Sequence, residues 1–596
     1  MSLDTDVLII GAGMSGIGLA IQLKKKYPHA SYEIYEKANN LSGTWWANTY
    51  PGCGCDVPSH LYSFSFALNP EWTRPFALQP EILAYFRSVA QRYGVDRNIT
   101  YQSTVQEAAF DSKTGTWLVT IFDQKSNSTF QRRAKVLISA VGALSTPKDC
   151  EIKGAEKFQG KLFHSAEWDH SFDWAGKDVV VVGIGNLGNG CSATQFVPIM
   201  TEGKGKTRKL TQFSRQAHWL IERPNPLYSP FFKWAMRNIP GLMKVLRSVM
   251  VLIMDSSFSF FFTETGRKQR AQLTKAIIEY IKKNAPEKYH AALIPNSEIG
   301  CKRRVMDTDY LACLHREEME LIATDPIEEI TETGVTTKSG KEVKADAIVL
   351  ATGFKAQQVL YPLVIKGENG TTLNEHWKQA SGGTPQAYYG TCLAEFPNLF
   401  VMMGPNTATG HMSVIYTTEC QINFALRVLR PVMESIYPST FPSLNPFSRK
   451  ACDTIVVTKD AERKDNEWVQ EHSKKIVWTS GCTSWYLDES GKNTLLYPDY
   501  QIKFWLRSIF IPYRSDFAYA NSPVHLRGKN HEQHQKANRN SILIATGLIV
   551  ALAAAYTVGK AYGIDSRDIK DLAAGGRQNI FKYLRSALEQ LPFSSR

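Results

Sequence analysis

Two glycine turns, one acid and one base are the residues of this chain whose types and spacing could do chemistry. Gly11-Ala-Gly13-Met-Ser-Gly16 follows the apolar run Asp6–Ile10 and opens the helical stretch "SGIGLAIQLKKK". Glu36 closes a second strand-like run, "YEIYE". Glycines at this spacing let the backbone approach a pyrophosphate. The helix N-terminus supplies N–H donors and the positive end of a dipole, and the acid accepts ribose hydroxyls. With strand, helix and distant acid in register, residues 11–36 predict a dinucleotide site. An acid at position 36 suits an unphosphorylated ribose, that of FAD or NAD.

A second turn follows the run Val179–Val182 and contains two overlapping matches. Gly183-Ile-Gly185-Asn-Leu-Gly188 connects best to the strand, and Gly188-Asn-Gly190-Cys-Ser-Ala193 to the helix "SATQFVPIM". Only one register can place its amides at a helix N-terminus. The next strand ends at Ser214-Arg215, a cation where the first site carries an acid, which suits a 2′-phosphate and hence NADPH. The alternative for Arg215 is a solvated surface arginine. Cys53 and Cys55 flank Gly54 with no second cluster. We read them as structural and expect no metal.

Positioning these groups requires layers. Strand-like runs at Asp6–Ile10, Tyr32–Tyr35, Val136–Ala140, Val179–Val182 and Ala347–Ala351 alternate with helical patterns, which predicts an α/β fold with mostly parallel sheets. The 596 residues exceed one core. We expect two Rossmann-like domains: a part for the first nucleotide, FAD or NAD, over 1–147, an NADP-binding part over 148–345, and a return to the first over 346–520. Between about 222 and 295 long amphipathic helices with aromatic clusters form a helical insertion in the NADP domain. Its "VMVLIM" and "FSFFF" pieces, separated by Asp255, are each too short to cross a bilayer; they are expected to pack a core, the alternatives being to line an entry route for an apolar substrate or to touch the bilayer.

Residues 521–540 read as a polar linker. The nineteen residues 541–559 carry no charge, lie between Arg539 and Lys560, and are expected to form a transmembrane helix. Residues 560–596 follow as an amphipathic tail, with Ile580, Phe581, Leu584 and Leu588 on one stripe. The chain then reads as membrane-anchored through its C-terminal helix, its catalytic domains cytosolic and no signal peptide ahead of them. The sequons at Asn98, Asn127 and Asn369 are expected to be unused. A net charge of +13 is spread thinly and no nucleic-acid motif appears, so no nucleic acid is expected as a partner. Ten cysteines without a CxxC fit a reducing compartment better than a disulfide framework.

At the level of motifs the chain resembles flavin- and NADPH-dependent Baeyer–Villiger monooxygenases, and looks like their fungal members. "FQGKLFHSAEWD", Phe158–Asp169, fits their FxGxxxHxxxW(P/D) fingerprint, ahead of the second glycine turn as in that family. "SGTWWANTYPGCGCD", Ser42–Asp56, fits a second fingerprint, [AG]GxWxxxx[FY]P[GM]xxxD, except at Ser42. "DAIVLATGF" and "FPNLFVMMGPN" look like two further family segments, so that the likeness spans about residues 5–510. One departure is the five-residue "GIGNL" between strand and GNGxSA motif.

The resemblance implies FAD and NADPH as cofactors, and O2 and a small-molecule ketone as co-substrates. It assigns to Arg303, in "GCKRRVMDTDYL", the fixed cation beside an oxygen anion held away from water, with Asp56 as its partner and Arg304 as the neighbouring competitor. Lys302 would join Arg215 on the 2′-phosphate. Thr44, Trp45, Asp56 and Tyr62 match positions lining the flavin, and Trp485 an aromatic near the nicotinamide ribose. His164 would couple movement to catalysis. The expected reaction inserts one oxygen atom beside the carbonyl of a bulky apolar ketone, in secondary metabolism. The alternatives are oxygenation of nitrogen or sulfur, a flavin disulfide reductase (which the lack of CxxC disfavours), and a membrane flavoprotein whose catalysis has lapsed.

Overall fold

Thr5–Ile10 is apolar or β-branched at nearly every position because it runs through the middle of a sheet and is buried at all six residues. It pairs in parallel with Tyr32–Tyr35 on one side and with Ala134–Ser139 on the other. Ile99–Thr100 extends the sheet beyond Tyr32–Tyr35, and Leu399–Val401 pairs with Leu137–Ser139. The expected strand Val136–Ala140 is the inner end of a longer one, Ser128–Ser139. Its outer half belongs to an antiparallel meander with Thr116–Asp123 and Ser103–Asp111. Helices Met14–Lys26 and Val414–Val428 pack together over this sheet's core. A computed structural model of the chain describes residues 2–183, 191–437, 450–482 and 484–524. All of them lie in one compact unit.

The second sheet has five parallel strands in the order Met319–Ile322, Lys209–Phe213, Asp178–Val182, Ala347–Leu350, Lys161–His164. Ala347–Leu350 corrects the expected boundary. Placed at the start of the return segment 346–520, it instead sits between two strands of the second sheet, and the chain leaves that sheet only after it. An antiparallel meander, Ile327–Thr331, Gly334–Thr337 and Glu342–Lys344, precedes it.

The insertion forms helices Pro230–Asn238, Leu242–Ser256 and Arg267–Asn284. Its two apolar pieces behave differently. Phe258, Phe260 and Phe261 are buried with Trp478 and Tyr486, as expected. The "VMVLIM" piece divides: Met250, Val251 and Met254 pack against the first sheet's core as expected, whereas Leu252 and Ile253 are 66% and 64% exposed. The buried side chains of that helix are Arg247 and Asp255, whose polar partners lie inward and leave Val245, Val249, Leu252 and Ile253 facing out.

Two buried features had no sequence signal. Lys135 is fully buried and pairs at 3.0 Å with Asp453. Cys301 and Cys482 are disulfide-bonded, 181 residues apart, a single bond in a chain whose cysteines do not read as a disulfide framework; spacing cannot reveal a pair brought together by two distant loops. Among the described residues no helix is long and apolar enough to cross a membrane. The expected span 541–559, most of the linker and the tail lie outside the described residues.

Candidate active site

The first glycine turn does what its spacing requires. Gly11 has a φ of +101°, and a Cβ there would lie 2.7 Å from the Ala140 carbonyl oxygen. A Cβ on Gly16 would fall 2.0 Å from the Gly11 oxygen, so a side chain is excluded where the helix starts against the turn. At Gly13 the nearest atom is the Gly43 Cα, 3.8 Å away, and both glycines line a cavity of about 570 Å³. Glu36 lies just past strand Tyr32–Tyr35, its carboxylate accepting the N–H of Ala12 and of Ala38 at 2.8 Å each. Burial raises its pKa, and both backbone N–H bonds oppose that rise. The acid thus sits beside the glycine turn, on the wall of the same cavity.

Thr44, Trp45, Asp56 and Tyr62 line that cavity too. The Trp45 indole N–H donates to the Tyr62 hydroxyl at 3.0 Å, which locks both rings edge to face. Asp56 meets Arg303 there: Nε donates to Oδ2 at 2.7 Å and a terminal guanidinium nitrogen stands 2.6 Å from the same oxygen. The carboxylate and then burial act in opposite directions on Arg303, and the net is a pKa raised above its ordinary value. Its charge is therefore permanent. Arg304 is placed differently: its guanidinium stacks over the Phe260 ring, 5.3 Å from the centroid. The structure separates two neighbours that sequence alone left as competitors.

At the second sheet, Gly183 ends strand Asp178–Val182 with a φ of +136°, and a Cβ would lie 2.4 Å from the Ala351 oxygen. Gly185, Gly188 and Gly190 lie outside the described residues, so the register of the stretched turn stays open there. Helix Cys191–Met200 begins immediately beyond it. Ser214 is buried at the end of strand Lys209–Phe213 and Arg215 is exposed next to it. Lys302 donates to the Gln216 side chain, and burial lowers its pKa. Lys302 is thereby held one residue beyond Arg215 at the end of that strand. Trp485 lines the cavity, and its buried indole N–H has no partner among the described residues.

Some residues had no such legibility. Tyr486 is buried on the cavity wall, close enough to Arg303 for each to shift the other's ionisation; its only signal was adjacency to Trp485. Gln195, on the helix after the second turn, receives the Tyr50 hydroxyl at 3.0 Å and donates to the Gly54 carbonyl at 3.2 Å. It joins the second sheet's helix to the fingerprint loop. Cys53 and Cys55 are buried, and burial pushes the Cys53 thiol up to about 12. His164 is buried, its Nδ1 accepting the Ala166 N–H at 3.0 Å, and burial lowers it to about 4, so the ring is neutral at ordinary pH.

Residues 4–370 match the family model described as FMO-like, flavin-binding monooxygenase-like. The chain belongs to that family. The monooxygenase is 34% identical to a Baeyer–Villiger monooxygenase of Pseudomonas aeruginosa over 502 residues, covering 84% of this chain and 88% of that one. A Baeyer–Villiger monooxygenase of Streptomyces coelicolor is 35% identical over 84% of this chain and 89% of its own. These relatives bear out the resemblance drawn from the motifs, and the protein is an oxidoreductase. In fold it is similar to cyclohexanone monooxygenase from Rhodococcus sp. Phi1 bound to NADP+, with a TM-score of 0.73 at 24% identity over 87% of this chain and 100% of that one.

The glycine geometry makes a direct prediction for this flavoprotein family member. Gly16→Ala must displace the Gly11 peptide, and flavin retained per polypeptide should fall at least about tenfold, as bound-flavin absorbance will report. Unchanged flavin content would refute the role of the turn.

Proposed function

We propose that this monooxygenase binds FAD at Gly11, Gly13, Gly16 and Glu36 and NADPH at the second sheet, and oxygenates a bulky apolar ketone. One oxygen atom of O2 enters the bond beside the carbonyl, giving an ester or lactone. The other leaves as water, with NADPH oxidised to NADP+. The observation that supports this reading is the permanent Arg303 cation, paired to Asp56 on the wall of the one cavity that also holds Gly11, Gly13, Glu36 and Trp485.

When bound, the flavin supplies hydride acceptance and activation of O2. The chain's own residues do the rest. Asp56 fixes the direction of the Arg303 guanidinium, which leaves its remaining N–H groups free to stabilise negative charge on oxygen. Trp45 and Tyr62 form a rigid wall of the cavity. Ser214, Arg215 and Lys302 hold the 2′-phosphate, and the Trp485 indole takes a ribose hydroxyl. The apolar run 541–559 is assigned as the membrane anchor, with the catalytic part on the cytosolic side.

Product analysis tests the reading. The purified full-length enzyme with FAD and NADPH, offered panels of bulky ketones and of thioethers, is expected to form esters or lactones. Sulfoxides without any ester would transfer the chemistry to heteroatom oxygenation, and failure of NADPH to bleach the flavin would refute catalysis altogether.

A further inference from the structure

Helix Leu242–Ser256 exposes part of its aliphatic surface. Its buried side chains are charged, and each is held by specific partners. The Arg247 guanidinium donates to the carbonyls of Leu61 at 2.8 Å and Ser63 at 2.7 Å, and reaches Glu419 at 3.3 Å. Asp255 accepts the N–H of Gln501 at 2.6 Å and of Ile502 at 3.1 Å, and contacts His411 at 3.2 Å. Eight residues apart, these two anchors share one helix face. They fix the rotation of the helix: Met250, Val251 and Met254 pack inward beside them, and a second aliphatic stripe is left facing outward.

That face continues across three elements. Val245, Val249, Leu252 and Ile253 are exposed on the helix itself. Helix Pro230–Asn238, which packs against it, exposes Phe231 at 74% and Trp234 at 53%, their rings stacked at 6.0 Å. Helix Gln501–Arg507, whose N-terminus rests on Asp255, exposes Ile502 and Trp505, and Phe510 follows. Single exposed apolar residues are ordinary, but a run of large ones over neighbouring helices marks a surface that meets something.

Charge identifies the occupant. Between Glu222 and Asp255 the sequence holds no acid but five bases, Arg223, Lys233, Arg237, Lys244 and Arg247. Between Asp499 and Asp516 it again holds no acid, with Lys503, Arg507 and Arg514. Some of these are engaged: Arg247 is buried, Arg223 turns inward to donate to the Cys55 carbonyl at 2.9 Å, and Arg237, Lys503 and Arg507 pair with Glu71, Asp499 and Asp465. Lys244 and Arg514 are exposed. An apolar face of Trp, Phe, Leu and Ile edged with bases is the composition of a helix lying in a lipid headgroup region. A second copy would set bases against bases. Fifteen residues span roughly 22 Å, too little to cross the hydrocarbon, so the helix lies in the plane.

We propose that this face, formed by helices Pro230–Asn238, Leu242–Ser256 and Gln501–Arg507, docks on an anionic lipid bilayer, separately from any anchoring by residues 541–559. The surface requires no particular substrate, so it stands or falls independently of the oxygenation chemistry.

Residues 525–596 contain no tryptophan, which makes the test clean in the full chain. The probe is phosphatidylcholine vesicles with and without phosphatidylserine, carrying bromine on their acyl chains, which quenches indoles that enter the lipid. The wild type should be quenched, more strongly with phosphatidylserine. Trp234→Phe/Trp505→Phe should lose that quenching while remaining folded by circular dichroism. Leu252→Asp/Ile253→Asp should lose it with both tryptophans in place. Equal quenching in wild type and the double phenylalanine variant would overturn the proposal, as would vesicle binding without any quenching, in which case the tail alone attaches the protein. A wild-type dimer that Leu252→Asp/Ile253→Asp dissociates, with no quenching in either, would make the face a self-interface and overturn it too.

Discussion

Arg303→Ala is expected to lower ketone oxygenation by about 10²- to 10³-fold while flavin stays bound, the loss typical of removing one fixed charge or donor that stabilises an oxyanion. NADPH oxidation should continue, with reducing equivalents released as hydrogen peroxide, because hydride delivery needs the second nucleotide site and not this cation. The variant to compare is Arg304→Ala, which removes an equal charge one residue away but from over the Phe260 ring. A similar loss there would mean that net charge and not placement matters. Asp56→Asn should fall between the two, since it leaves the guanidinium charged but unaimed. Ester yield per NADPH separates these outcomes, and an Arg303→Ala enzyme with normal yield would refute the assigned role.

Lys135→Met should cost about 3–5 kcal/mol of folding stability, because it leaves the Asp453 carboxylate buried without its cation. Asp453 also accepts the N–H of Ser522 at 3.0 Å, so the anion is held in place and cannot swing to solvent without breaking that bond. Burial lowers the lysine pKa, and the carboxylate partly restores it. The double variant Lys135→Met/Asp453→Leu should recover most of the loss, since two apolar groups in that space strand no charge. Urea unfolding followed by circular dichroism measures both. A single variant within 1 kcal/mol of wild type, roughly the cost of an exposed pair, would show that water reaches Asp453.

What could be read from the chain and what could not divides along physical lines. Gly11, Gly16 and Gly183 were legible because a close backbone approach permits no other residue, and each is walled by a carbonyl oxygen. Glu36 was legible because strand length and turn fix its distance from Gly11. Lys135 was not: it stands where a strand was expected to begin, looks like a solvated flank, and is buried because the strand starts earlier and Asp453 arrives from 318 residues away. The choice between Arg303 and Arg304 turned on side-chain direction, which two adjacent arginines do not encode. The "VMVLIM" run divides between core and surface because composition cannot say which face of a helix turns inward. Two polar anchors, Arg247 and Asp255, decided that. Ala347–Leu350 went to the other sheet because parallel strands take their neighbours from topology and not from chain order.

The bond between Cys301 and Cys482 makes a strut of two loops. One end runs straight into Lys302 and Arg303, and the other lies three residues ahead of Trp485. Side-chain packing alone would let these loops slip past one another. A covalent tie removes that slack, so the loop that carries Lys302 and Arg303 and the loop that carries Trp485 move as one piece.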